Sequence, residues 1–308
     1  LPDRLLQVIF GQGWYWLERE EAEMVRSLLA VLFLAGCALA VSDDGAACQG
    51  LIPSVPGGGS DDISVTILNT WQPSYATQIL GLEYRASDDA VIFVSSSQNK
   101  IFIADADNGS QLGSVDRPAG LLGFGVAWTG TEYFVNAWNG GNIYHSTGSG
   151  GWTAFSNPAG ANGRGLAYGQ GAGNFLWESN GMNAMAFNPD GSGAASVSLS
   201  GISYQISGLA TFDLTTDMAG PCGLAVTCYN ESPPKFHFFI YDGSSATPLG
   251  TVTCPGSPSA SYGLCYTSER GTFFWSYVSG GIPYVSELQI DGLVPLGRSS
   301  WGEIKSLF

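Results

Sequence analysis

Two carboxylates stand inside glycine-framed apolar stretches, where chemistry is best sheltered from water. Glu83 lies in Gly81-Leu82-Glu83-Tyr84, and Glu178 lies in Phe175-Leu176-Trp177-Glu178-Ser179-Asn180-Gly181. A carboxylate positioned among apolar neighbours can pass protons as a general acid or base. Asn136 closes a similar stretch, Tyr133 to Asn136. Trp138 and Trp152 fall in Asn-Gly-Gly and Gly-Ser-Gly-Gly contexts, which predict loops where an exposed ring can stack on sugar or peptide. Trp138, Trp152, Glu83 and Asn136 are therefore the candidate ligand-binding residues, and Glu178 is the candidate catalytic one.

Other chemistries are disfavoured by spacing. The run Asp105-Ala106-Asp107-Asn108-Gly109 pairs carboxylates, but its glycine is fifth, not sixth, and no glutamate stands at the twelfth position. It reads as a hairpin turn in preference to a calcium loop. No Gly-x-Ser-x-Gly elbow is present, and the two histidines, His145 and His237, sit in apolar strand-like runs, so no hydrolytic triad is predicted. Neither histidine has a cysteine at the usual zinc spacing, and no Cys-x-x-Cys occurs, so no metal site is expected. The net charge of −15, with the basic residues scattered singly, excludes phosphate-backbone recognition and hence nucleic acid as a partner.

The elements that position these residues repeat. Gly81-Leu82-Glu83-Tyr84, Gly125-Val126-Ala127-Trp128, Gly165-Leu166-Ala167-Tyr168, Gly208-Leu209-Ala210-Thr211 and Gly263-Leu264-Cys265-Tyr266 begin 44, 40, 43 and 55 residues apart. That period is the length of a propeller blade. Each tetrad is followed by two apolar runs, an Asp/Asn-to-Gly turn and a more polar fourth run, which predicts a four-stranded antiparallel meander. The fold class expected is all-β: a β-propeller of five four-stranded blades, or six if the termini together build another. The tetrad is the innermost strand. Its glycine admits the neighbouring blade, its leucine and ring share one face, and Ala127, Ala167 and Ala210 take the other. Glu83 and Cys265 break that last rule. Ile63 to Trp71 reads as a fourth strand lacking its first three and is expected to close the last blade, removing the exposed edges of an open ring.

Residues 24–40 have the form of a secretory signal: Met24-Val25-Arg26-Ser27, an apolar run from Leu28 to Ala35, then Gly36-Cys37-Ala38-Leu39-Ala40. Two processing routes stay open. Leu34-Ala35-Gly36-Cys37 matches a lipobox, making Cys37 a lipidation site, and Ala38-Leu39-Ala40 suits ordinary signal peptidase. Either predicts an extracytoplasmic protein, secreted or held in the cell envelope, with membrane contact only through a lipid anchor. Residues 1–23 are read as an upstream extension before a start at Met24, 41–62 as a linker, and 63–308 as the propeller, whose Trp301–Phe308 tail is either an outer strand or a sorting tail. An oxidising compartment permits disulfides among Cys37, Cys48, Cys222, Cys228, Cys254 and Cys265, with three connectivities for the last four.

The Gly-Leu-Ala-Tyr tetrad, apolar strand and Asp-x-x-x-Gly turn resemble exported bacterial β-propellers of the NHL and SMP-30 type. In the lactonases among such propellers, Glu, Asn and Asp from several blades hold calcium in the axial channel, which would bring Glu83, Asn136 and Glu178 together here. Residues Gly165-Leu166 with Leu176-Trp177-Glu178-Ser179 also resemble the five-bladed glutaminyl cyclases, whose glutamate is proposed to shuttle protons; the resemblance implies that role for Glu178. That family's Phe-Thr-Gln-Gly-Leu entry is absent, with Asn162-Gly163-Arg164-Gly165-Leu166 in its place. A plainer reading puts Glu178 in the slot of Ser95, Asn136 and Ser276, an exposed strand end. The expected function is non-catalytic binding of an extracellular protein, peptide or glycan, needing no cofactor other than a potential calcium ion. A propeller enzyme using Glu178 and a structural envelope component are the alternatives. An enzyme should gather carboxylates of raised pKa at one channel mouth; a binder should line its mouth with Ser, Asn, Gly and aromatics.

Overall fold

The computed structural model describes residues 6–10, 13–17 and 63–293, apart from 96, 139, 170–174 and 215–221. The chain divides into two units, 1–57 and 58–308. In the first, β1 (Leu6–Phe10) and β2 (Gly13–Leu17) form an antiparallel hairpin. The signal segment, Cys37, Cys48, the linker and the Trp301–Phe308 tail lie outside the described residues.

The second unit is a five-bladed β-propeller. After β3 (Ser64–Trp71), blade 1 is built from β4 (Leu82–Arg85), β5 (Ala90–Ser95), β6 (Gln98–Asp105) and β7 (Gln111–Asp116). Blade 2 comprises β8 (Gly123–Trp128), β9 (Tyr133–Ala137), β10 (Asn142–Ser146) and β11 (Thr153–Ser156). Blade 3 comprises β12 (Gly163–Gly169), β13 (Phe175–Asn180), β14 (Asn183–Phe187) and β15 (Ala195–Val197). Blade 4 comprises β16 (Ile206–Asp213), β17 (Cys222–Cys228), β18 (Lys235–Tyr241) and β19 (Ala246–Thr253). Blade 5 takes β20 (Ala260–Thr267), β21 (Thr272–Ser279) and β22 (Ile282–Asp291), and β3 is its outermost strand, Ser64 opposite Asp291 and Trp71 opposite Val285. The ring is closed by the N-terminal strand, as its lone fourth-strand pattern implies. Among the described residues helix is confined to two three-residue 3-10 turns, and no helix is long and apolar enough to cross a membrane.

The tetrad glycines show why the ring holds together. A Cβ on Gly81 would lie 2.6 Å from the Phe124 carbonyl oxygen, on Gly125 2.4 Å from that of Arg164, and on Gly165 2.8 Å from the Leu209 nitrogen. On Gly208 it would lie 2.2 Å from the Tyr262 oxygen, and on Gly263 2.2 Å from the Leu80 oxygen, which returns to blade 1. Each innermost strand therefore presses its bare backbone against the next, a contact no side chain allows. Hydroxyls and an amide reinforce the same seam. Asn136 Nδ2 donates to the Arg164 carbonyl, Ser207 Oγ to that of Ser261 and Ser276 Oγ to that of Leu80.

Farther out, apolar clusters fill the wedges between blades. Ala127 packs with Leu166 and Leu176 of the next blade, Ala167 with Leu209 and Leu224, and Ala210 with Leu264 and Trp275. Cys265 fits the same small-residue position, packing with Leu82 and Phe93. Only Glu83 is truly foreign to it. The predicted turns have their glycines at positive φ: Gly109 at 70°, Gly191 at 84°, Gly243 at 98° and Gly292 at 83°. Asp105 Oδ1 accepts from the Asp107 and Asn108 amides, as a hairpin turn requires.

Candidate functional site at the channel mouths

The five innermost strands run side by side, so their C-terminal ends meet around one mouth of the axis and their N-terminal ends around the other. At the C-terminal mouth, Tyr84, Trp128, Tyr168, Phe212 and Tyr266 surround a cavity of about 210 Å³ with Glu83 in its lining. Glu83 is buried, yet its carboxylate is satisfied by backbone. Oε1 accepts from its neighbour Tyr84 N at 3.0 Å, and Oε2 accepts from Tyr168 N, two blades away, at 3.2 Å. Burial outweighs these bonds and one from the Trp128 amide, raising the carboxyl to about 8, so Glu83 is largely protonated at neutral pH. Asp213 and Glu269 also line the cavity. Asp213 is raised by its own burial and then by the Glu269 charge.

Glu178 is placed differently from the plainer sequence reading, which made it an exposed strand end. Strand pairing sets Leu166 opposite Glu178, just as Val126 faces Val135, Leu209 faces Val226, Leu264 faces Trp275 and Leu82 faces Phe93. Glu178 thus holds a position that is apolar in the other four blades, and it is Ser179 that matches Asn136 and Ser276. The hydrogen bonds agree: the amides of Gly125, Gly165 and Gly263 donate to Asn136, Ser179 and Ser276 respectively. Far from being an exposed strand end, Glu178 is fully buried. Asn136 Nδ2 and Asn157 Nδ2 donate to its Oε1 at 2.5 and 2.9 Å, whereas Oε2 has no partner. Burial raises it to about 7, against the pull of both amides and of the Arg164 charge. Gly163 makes the space, since a Cβ there would lie 2.1 Å from Oε1.

The N-terminal mouth has another character. Phe124, Trp138, Arg164, Tyr229 and Tyr262 line a cleft of about 80 Å³. Trp138 is half exposed, and the Arg164 guanidinium lies 5.3 Å from its ring centre and 5.7 Å from that of Phe124. Tyr229 and Tyr262 stack at 5.9 Å.

The candidate residues are therefore brought together only in part. Asn136 and Glu178 meet between blades 2 and 3. Glu83 is held by another set of donors at the C-terminal mouth, so the single calcium cluster of Glu83, Asn136 and Glu178 does not form. Trp138 stands at the N-terminal mouth as a loop aromatic. Trp152 does not join it: half buried just before β11, it packs on the core between blades 1 and 2 and donates to the Asp116 carbonyl. Among the described residues Cys222, Cys228, Cys254 and Cys265 are free and buried, and none of the three pairings open among these four is formed. Sequence reasoning missed Asp213, Glu269, Arg164, Tyr229 and Asn157, which no motif marks.

Neither a known family nor a curated protein matches the chain in sequence. In structure it is similar to a glutaminyl cyclase from Myxococcus xanthus, with TM-score 0.53 and 19% identity over 74% of this chain and 96% of that one. It also resembles the PQQ-bound aldose sugar dehydrogenase of Streptomyces coelicolor, with TM-score 0.48 and 13% identity over 74% and 98% of the two chains. A gluconolactonase from Xanthomonas campestris gives TM-score 0.48 and 13% identity over 74% and 90%. The chain is thus a five-bladed β-propeller with two chemically distinct mouths.

Proposed function

We propose that the protein is an exported, ligand-binding propeller whose C-terminal mouth receives the amine-bearing end of an extracellular peptide, protein or glycan. The observation that carries this reading is Glu83 in an aromatic-walled cavity, at a position where the other four blades have Ala127, Ala167, Ala210 and Cys265. Asp213 and Glu269 add negative charge at the rim, and Tyr84, Trp128, Tyr168 and Tyr266 are in the lining. With its carboxyl near 8, Glu83 gives up a proton when an ammonium group arrives at neutral pH, so binding and proton release are coupled.

Calorimetry with trialanine and chitosan trimer, each beside its N-acetylated twin, tests this. The free amines are expected to bind with release of a proton, seen as a dependence of heat on buffer ionisation enthalpy. The acetylated forms, and the Asp213→Asn/Glu269→Gln double variant, should bind about tenfold more weakly. Equal binding of free and acetylated ligands, or none by any, removes the reading.

A second reading has its own observation. Glu178 has one oxygen unpartnered and a carboxyl near 7, poised for proton transfer at neutral pH, and the resemblance to glutaminyl cyclases falls on that residue. Turnover of an N-terminal glutaminyl peptide by the wild type and not by Glu178→Gln supports it. Equal turnover in both, or none in either, removes it.

A further inference from the structure

We infer that the β17–β18 hairpin of blade 4 holds a divalent transition metal, of the zinc class, on Cys228, Glu231 and His237. Strand geometry sets up the cluster. Val226 pairs with His237, and Cys228 lies two residues beyond Val226, so the thiol and the imidazole project from the same face of the sheet as diagonal neighbours. The connecting turn, with Asn230 in the left-handed region at φ 61°, carries Glu231. Thiol sulfur, carboxylate oxygen and imidazole nitrogen all lie within 4.8 Å of one another, and His237 Nε2 is 3.0 Å from both Glu231 oxygens. Bonds of about 2.3 Å to sulfur and about 2.0–2.2 Å to nitrogen and oxygen would set tetrahedral ligand separations somewhat below 4 Å, so a small inward movement completes the site.

The donor set decides the class of ion. Sulfur, imidazole and a single carboxylate disfavour calcium and magnesium, which take oxygen, and suit zinc or cobalt. Surroundings decide the coordination number. Cys228 and His237 are buried, whereas Glu231 and His237 line a groove of about 510 Å³ with Tyr204, Lys235 and Thr251. The metal therefore has protein behind it and the groove before it, which leaves a fourth position for water or for a donor atom of a ligand. Three protein ligands with one open position is the arrangement of exchangeable zinc sites. The Cys-x2-Glu-x5-His spacing matches no familiar zinc pattern, because one hairpin supplies all three ligands through its twist and turn. None of the three ligands lines either channel mouth, although Tyr229, next to Cys228 in the chain, belongs to the N-terminal one.

Cobalt titration of the chelator-treated full chain tests the assignment. Binding is expected to give a thiolate-to-cobalt charge-transfer band and intense visible bands of four-coordination, both abolished by one equivalent of zinc. Cys228→Ser should lose the charge-transfer band, His237→Gln should weaken cobalt binding at least tenfold, and Cys254→Ser, altering the neighbouring buried thiol, should retain the band. Zinc at about a hundredfold excess over its Kd should raise the melting temperature by roughly 5–10 °C over chelator. No charge-transfer band and identical melting with zinc and with chelator would overturn the proposal, as would loss of the band in Cys254→Ser but not in Cys228→Ser.

Discussion

Burial of carboxyl groups gives this protein an unusual dependence on pH. Glu83 is raised to about 8 and Glu178 to about 7, so between the unfolded value of 4.5 and these folded values the native state holds protons that the unfolded chain has released. Stability from these groups is complete below about pH 4.5 and is lost as pH rises through 7 and 8. Glu83 alone accounts for on the order of 5 kcal/mol between the two limits. Asp89 and Asp242 act oppositely at the acid end, being held below the usual range by Arg270 and by the Ser244 and Ser245 amides. The melting temperature is therefore expected to peak near pH 5 and to fall towards pH 8, with Glu83→Gln flattening the fall. A profile that rises from pH 5 to 8 would contradict the burial argument. The sequence marked both glutamates but misjudged the environment of Glu178 by one residue.

That error has its cause in the hairpins between the first two strands of each blade, whose lengths differ, so that Val126 pairs with Val135 but Leu166 with Glu178 and Leu209 with Val226. A second feature, common to blades 2 to 5, is equally hidden in the sequence. The pairings of the innermost strands of blades 2 to 5 shift register just around the tetrad, between Gly123 and Val126, Gly163 and Leu166, Ile206 and Gly208, and Ser261 and Leu264. Such a bulge moves every later residue by one against its partner, and composition does not reveal it. The glycines were legible because five successive blades need a bare backbone at the same place; the closing role of β3 was legible because a fourth-strand pattern had no blade of its own. The Cys228, Glu231 and His237 cluster was not, since it arises from facing across a hairpin and not from spacing along the chain. The tetrads also define a sharp test. Gly208→Ala should cost roughly 3 kcal/mol or more, because its Cβ meets a carbonyl oxygen that cannot move without parting blades 4 and 5. Gly150→Ala, with open space around it, should be nearly neutral by denaturant titration. Equal effects would mean that the axial contact is slack.

Across the whole molecule, the ring is discontinuous only within blade 5, between β22 and β3, and side chains add contacts where blade 5 meets blade 1. Arg270 of blade 5 reaches Asp89 at 2.5 Å and Asp107 at 2.8 Å in blade 1, and also approaches Glu287 at 3.3 Å. These pairs are partly exposed, so each contributes little alone. The larger share of the join comes from β3 itself, hydrogen-bonded along β22 while its chain leads directly into blade 1.

That arrangement has a kinetic corollary. Ser64 must find Asp291 across more than two hundred intervening residues, and pairings so distant along a chain slow the search for the native state. Yet the two residues stand opposite each other as if a hairpin had been cut. A circular permutant that begins after Trp71 and rejoins Asp291 to Ser64 through a two- to five-residue turn would make every sheet from one uninterrupted stretch. It should refold faster than the natural order, by stopped-flow tryptophan fluorescence, and melt at a similar temperature; slower refolding would show that docking of β3 is not the late event.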